Sequence, residues 1–223
     1  MSLPALFNAP DVVIIAGGPS AAALDLNLLK CKDLYVLGCK DAFFNAPCHG
    51  CFTMDRRWNM HRVNRLREAN AEVFASRKHW GFKPPPGFPY EPISPWDRVH
   101  FVKVDIYNRG LCEIPGQVNG RDSGFAALNL TWQYRPKRIF LIGFDLTMPP
   151  GGQEHWYPDH EWRKAKRDYS CDRDWVIDHE MAANRFQAEG VEVYNLSSNS
   201  IIDVYPKISY ADAISMMRDA VNA

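Results

Sequence analysis

Two histidines, His155 and His160, stand in a loop entered through Gly151-Gly152, just downstream of an apolar run that ends in Asp145. Imidazole titrates near neutral pH, so a loop histidine beside a carboxylate such as Asp159 and a phenol such as Tyr157 can take a proton from a substrate hydroxyl. His155 precedes Trp156 and lies nearer the strand end, which favours it as the base. His160 sits between Asp159 and Glu161, where charge favours an imidazolium and a supporting role. Pro158 keeps the two off one helix face, which excludes the helical zinc pattern of histidines four apart. Two other readings of these residues stay open. One is a His–Asp pair that pins the loop, and the other is an oxygen/nitrogen metal site from Asp145, His155, Asp159 and His160.

A second constellation lies in 11-DVVIIAGGPSAAALDLNLLK-30. An apolar run meets Gly17-Gly18, which permits a sharp turn and the close approach of another molecule. Pro19 suits a first helical position. The N–H groups of that turn, including that of Ser20, would then point outward from a positive helix end and favour phosphate. On this reading, valine at position 18 would block the phosphate and resist φ > 0 while leaving the fold largely intact. A tight strand–turn–helix connection without ligand is the alternative. The third glycine of the dinucleotide fingerprint is missing, and only Ala21, Ala22 and Ala23 could serve its packing role.

The elements that must position these groups belong to one domain, residues 1–223, of ordinary globular composition with 46% apolar and 23% charged residues. Formal net charge is zero, from 26 basic and 26 acidic residues. That balance lacks the electrostatic footprint of a duplex nucleic-acid binder. No apolar run approaches the ~20 residues of a membrane span, and Met1 to Pro10 lacks the features of a signal peptide. The six cysteines are accordingly expected as reduced thiols in a cytoplasm. Cys48-His49-Gly50-Cys51 has the spacing of half a zinc site, but no second Cys pair follows, so structural zinc is not expected there.

Strand-like runs at 12–15, 33–38, 50–55, 71–76, 99–104, 138–143 and 191–196 alternate with helical segments. One helix carries Trp58, Val63 and Leu66, and another carries Phe125 to Trp132 behind Asp122 or Ser123 as cap. A third spans about 175–189, and a last one starts near Tyr210. Residues 77–98 form a proline/aromatic excursion, and 146–170 a polar, aromatic, lid-like loop expected to be mobile without ligand. Such alternation predicts an α/β fold with a doubly wound, mostly parallel sheet and helices on both faces. Ligands of such sheets sit beyond the carboxyl ends of the strands. Gly17 to Ser20 follow the first strand, Cys39-Lys40-Asp41 the second, Asp55 the third, and Gly143-Phe144-Asp145 a later one. All could face one crevice.

With those motifs in order, Ile15-Ala16-Gly17-Gly18-Pro19-Ser20, Asp122-Ser123-Gly124 and Ile139-Phe140-Leu141-Ile142-Gly143-Phe144-Asp145 resemble bacterial sialyltransferases of the Campylobacter lipooligosaccharide type. They equally resemble a wider Rossmann-like group that includes motility accessory factors, 6-hydroxymethylpterin diphosphokinase-like proteins and small phage-borne members. The resemblance runs from about 11 to 205, where 193-VYNLSSNSII-202 resembles the group's closing segment. It implies that Gly17, Gly18, Pro19 and Ser20 hold the phosphate and sugar of a nucleotide donor. Asp41 stands in the donor-contacting pair after the second strand, Ser123 and Gly124 approach the donor, and Gly143 with Asp145 line the nucleoside pocket. His155 is the implied base. Two departures stand out. Leu146-Thr147 replaces an aromatic pair whose tyrosine helps the phosphate leave, and Lys40-Asp41 replaces an Asn-Gln pair, placing an acid near a charged donor. The expected function is a nucleotide-sugar-dependent, glycosyltransferase-like transferase acting by direct displacement, with no required cofactor and compatible with a homo-oligomer. Two alternatives remain. One is a Mg²⁺-dependent diphosphokinase-like enzyme with Asp55, Asp145 and Asp159 as ligands. The other is a non-catalytic nucleotide-binding phage or accessory protein.

Overall fold

A computed structural model describes residues 9–31, 33–76, 96–147, 154–158, 162 and 172–219. Eight strands form one parallel sheet: β1 (Asp11–Ile15), β2 (Leu34–Cys39), β3 (Gly50–Thr53), β4 (Glu72–Ser76), β5 (Val99–Asp105), β6 (Gln117–Asn119), β7 (Arg138–Ile142) and β8 (Glu192–Asn195). Their spatial order is β6-β5-β4-β3-β2-β1-β7-β8, and every pairing is parallel. The chain thus begins in the middle, winds outward to β6, and crosses back over β1 to lay down β7 and β8. The direction of winding reverses between β1 and β7. The expected fold class holds, with the sheet wholly parallel and Rossmann-like.

Side-chain alternation along the strands sorts the core into two faces. Val12, Ile14, Leu37, Phe52, Phe74, Ile139 and Leu141 pack beneath α3 (Ser123–Trp132) and α4 (Asp172–Ala188). Val13, Ile15, Val36, Phe140 and Ile142 pack against α5 (Tyr210–Asp219) through Ala213, Ile214 and Met217. On that second face Cys51, Val73 and Ala75 meet α2 (Arg56–Glu68) through Trp58, Val63 and Leu66. Helix α3 is buried from Gly124 to Trp132, as expected of a helix apolar all round.

Several elements depart from the sequence reading. The segment after β1 holds no α-helix: Pro19–Ala23 and Leu26–Leu29 are two 3-10 turns. A one-turn helix, α1 (Ala42–Asn45), was not expected, and α4 begins three residues early. Strand β6 was read as loop. Its three residues carry too short a pattern to register, and side chains from α3 hold it. Asn129 Oδ1 accepts from Asn119 N at 2.8 Å and Cys112 N at 2.9 Å, while Gln133 Nε2 donates to Gln117 O at 2.6 Å. At the opposite end of the sheet from the carboxyl ends, Arg138 Nε donates to Asp11 Oδ1 at 2.7 Å, and both residues are buried. The proline/aromatic excursion lies almost wholly outside the described residues.

Candidate functional site

A cleft of about 530 Å³ opens beyond the carboxyl ends of β1, β2, β3 and β7 and is closed on one side by the first turn of α3. This is the point where the winding of the sheet reverses, the place where open parallel sheets bind ligands. Gly17, Gly18, Pro19, Asp55, Ser123, Gly124, Gly143, Asp145 and His155 all line it. Ser20 and Asp41 do not.

The glycine turn is built for contact with the end of β7. Gly18 N donates to Gly143 O at 2.8 Å, and a Cβ at Gly18 would stand 2.0 Å from Asp145 Oδ2 and 2.5 Å from Gly143 O. Gly18 has φ −62°, so it is needed for this close approach and not for a left-handed backbone. Gly143, at φ 72°, does require one, and a Cβ there would meet Ala16 O at 2.8 Å. The N–H of Ser20 does not point into the cleft. It donates to Asp145 Oδ1 at 3.3 Å while Ser20 Oγ donates to Asp145 Oδ2 at 2.8 Å. A carboxylate of the chain itself therefore takes the place expected for a phosphate at that turn. Burial pushes the Asp145 carboxyl pKa upward, and the Ser20 hydrogen bonds oppose that shift.

Behind Asp145, the polar cluster 197–200 is structural. Phe144 N donates to Ser197 Oγ at 2.8 Å and Ser200 Oγ donates to Phe144 O at 2.6 Å. Ile201 N donates to Asp145 O at 3.1 Å. Between them these bonds bracket the Gly-Phe-Asp strand end. Asp122, not Ser123, caps α3, accepting from Gly124 N at 2.7 Å and Phe125 N at 3.0 Å. Ser123 is the first helical residue, and Gly124 lies so close to Phe144 that a Cβ would stand 2.8 Å from its ring.

Asp41 is the clearest correction. It is buried and turned away, accepting from Arg62 Nε at 2.9 Å and from Trp58 Nε1, so it ties the end of β2 to α2. The residue after β2 that does reach the cleft is Lys40, in a left-handed backbone conformation with φ 56°. Its Nζ lies 3.7 Å from Asp55 Oδ2, while Asp55 Oδ1 caps α2 by accepting from Trp58 N at 3.1 Å. The acid feared near a charged donor is thus out of reach, and a cation stands in its place.

The described part of the 146–170 loop is anchored. Trp156 N donates to Gly17 O at 3.2 Å and Trp156 Nε1 to Ala16 O at 3.0 Å. These bonds carry His155 over the glycine turn, where a Cβ on Gly17 would stand 2.8 Å from His155 Nδ1 and 2.9 Å from the Tyr157 hydroxyl. The His155 and Tyr157 rings stack at 5.0 Å. Farther along, Trp162 lines the cleft and stacks on His61 of α2 at 3.9 Å, and its carbonyl accepts from Arg57. His160 and Asp159 lie outside the described residues, as do 148–153. Among the described residues no group of three His, Cys, Asp or Glu side chains could hold a metal ion. Of the alternative Mg²⁺ ligands, Asp145 is engaged by Ser20 and Asp55 by α2. The described cysteines are free, and burial raises the Cys48 thiol to about 12.

Sequence reasoning missed Arg57, Arg121, Glu154, Trp58, Trp162 and Trp175, which all line the cleft. Arg57 did carry a signal. Cations in the first turn of a helix oppose its dipole, and Arg56-Arg57 begin α2. Arg121 immediately precedes the Asp122 cap, and its Nη1 donates to Asp174 Oδ2 at 3.2 Å.

Neither a protein-family model nor a curated protein sequence matches the chain. Among solved structures it is similar to the monofunctional alpha-2,3-sialyltransferase Cst-I from Campylobacter jejuni, with TM-score 0.52 and 12% identity over 93% of this chain and 82% of that one. It is also similar to the sialyltransferase CstII of the same organism, in complex with the substrate analogue CMP-3FNeuAc, with TM-score 0.49 and 13% identity over 89% and 86% of the two chains. At such identities the likeness to Cst-I shows a shared fold. Among the described residues no helix is long and apolar enough to cross a membrane.

Proposed function

We propose that the protein is a nucleotide-sugar-dependent transferase of the glycosyltransferase type. The observation that carries this reading is the placement of His155 over the Gly17–Gly18 turn, inside one cleft with Lys40, Arg57 and Arg121. A general base and cations beside the departing phosphate are what a direct displacement needs, and in this cleft those cations stand among the carboxylates of Asp55, Asp122, Asp145 and Glu154. In that reaction the acceptor oxygen attacks the anomeric carbon, and the bond from that carbon to the donor phosphate breaks. The nucleotide leaves with the electron pair, and His155 takes the acceptor proton. The cations balance charge on the departing phosphate, supplying what the Ser20 N–H, already engaged, does not.

The aromatic residues Trp162 and Trp175 fit a ligand with planar and sugar faces. Resemblance to motility accessory factors, pterin diphosphokinase-like proteins and small phage-borne members belongs to the same proposal, as a range of nucleotide-handling chemistry that one cleft of this kind suits.

Titration with CMP, UDP and ATP, each with and without Mg²⁺, tests the reading. Metal-independent binding of a nucleotide supports it. Binding that requires Mg²⁺ favours diphosphate transfer instead, and no binding of any of the three removes the nucleotide site.

A further inference from the structure

We propose that Lys40 is the phosphate-reading residue of the cleft, released from Asp55 when a nucleotide binds. The proposal rests on the nucleotide reading above and goes beyond it in naming the group that recognises ligand charge.

Four non-glycine residues among those described have positive φ: Lys40, Asn70, Arg135 and Leu146. Asn70 and Arg135 lie just past the ends of α2 and α3, where left-handed residues commonly close a helix. Lys40 and Leu146 are different. Each follows the carboxyl end of a strand, β2 and β7, and each lines the cleft. A left-handed backbone costs a β-carbon residue of order 1 kcal/mol or more, and such residues gather at functional sites. At Lys40 the strain has a visible result: the side chain turns into the cleft while its neighbour Asp41 turns into the protein.

Of the other cleft cations, Arg57 donates to the Trp162 carbonyl, and Arg121 donates to Asp174 through Nη1 while its buried Nε has no hydrogen-bond partner. Lys40 Nζ has Asp55 Oδ2 at 3.7 Å, an ion pair beyond hydrogen-bond distance, with the two side chains 26% and 43% exposed. An exposed pair of that geometry holds the ammonium weakly. An ammonium is a compact charge on a flexible stem, able to swing to a phosphate oxygen and make a charge-assisted bond. The Asp55 carboxylate is fixed by its capping bond to Trp58 N, so it is Lys40 that moves.

The test compares cytidine, CMP and CMP-sialic acid as probes by calorimetric titration of the wild-type chain and of Lys40→Met, Lys40→Arg and Lys40→Gly. The wild-type protein should bind CMP at least about 10-fold more tightly than cytidine, the scale of one charge-assisted contact. Lys40→Met should reduce that advantage to within about 3-fold without changing cytidine affinity, and Lys40→Arg should restore part of it. Lys40→Gly should lose the phosphate advantage while melting at the same or a higher temperature, because glycine relieves the strained backbone. A purely structural role predicts the opposite, a lower melting temperature with selectivity intact. Unchanged CMP preference in Lys40→Met and Lys40→Gly overturns the proposal while leaving the nucleotide site standing. A Lys40 effect seen with CMP-sialic acid alone overturns the phosphate assignment in favour of a carboxylate. Should none of the cytidine probes bind, uridine against UDP and adenosine against ATP replace them with the same expectations, and if none of those binds either, the nucleotide reading falls and takes this proposal with it.

Discussion

Gly18 must lack a β-carbon because Asp145 and Gly143 occupy the space it would take, and its φ of −62° shows that no left-handed turn requires the glycine. Gly18→Val should therefore destabilise the whole chain by about 3 kcal/mol or more, on the scale of a forced overpacking contact with a buried polar group. A urea midpoint equal to that of the wild type would contradict this. His155 carries the chemical prediction. Where transfer activity is measured, His155→Ala should lower kcat ~100-fold or more while leaving nucleotide affinity within a few-fold, the mark of a base and not of a binding residue. A loss confined to KM would place His155 in substrate binding. His179 carries a pH prediction. It is fully buried against Phe125, Phe144 and Tyr205, and burial lowers its pKa to about 3. The unfolded chain takes up the proton near 6.5 and the folded chain does not, so this residue's contribution is complete above pH 6.5 and is lost as pH falls toward 3. Stability measured by denaturant between pH 7 and 4.5 should fall less steeply in His179→Phe than in the wild type. Parallel slopes would mean that His179 is not the group responsible.

At the level of elements, what could be read from the sequence was whatever periodicity or a strong cap wrote into it. The runs that became β1 and β7 are uninterrupted apolar segments because both faces are covered, and Asp122 before a buried helix announced α3. What stayed hidden depended on contacts between distant segments. Three residues become β6 with Asn129 on α3 and Gln133 at its C-cap bonded to their backbone. Pro19-Ser20 led the sequence reading to expect an α-helix, yet the turn is 3-10, with Ser20 bonded to Asp145, a residue 125 positions away. The same limit governed the site. The Gly17-Gly18 turn, Gly143 and His155 could be placed at the carboxyl end of the sheet from their neighbours in sequence, and all four residues line the cleft. The orientation of Lys40 against Asp41 is set by Arg62 and Trp58 and could not be found that way. One element-scale prediction follows from the buried Arg138–Asp11 pair, which joins β1 to β7 across the switch point. Arg138→Met leaves Asp11 charged and unpaired, so it should cost about 3–5 kcal/mol, whereas the double change Arg138→Met with Asp11→Leu should recover much of that loss. A single variant as stable as the wild type would show that the pair contributes nothing to holding the two strands.

For the molecule as a whole, a net charge of zero conceals a strongly ordered distribution. Lys40, Arg57 and Arg121 share one cleft at the reversal of an eight-stranded parallel sheet with four acids, Asp55, Asp122, Asp145 and Glu154; of these, Asp55 and Asp122 cap helices and Asp145 accepts from Ser20. On the proposed function, this cleft takes a nucleotide with its phosphate toward the cations and its sugar-bearing end toward His155. A crystal of the full chain grown with CMP tests that most directly. The expected result is a nucleotide between the Gly17–Pro19 turn and the first turn of α3, its phosphate within hydrogen-bond distance of Lys40 Nζ. A nucleotide bound at a different surface, or an empty cleft in a crystal saturated with nucleotide, would contradict the account.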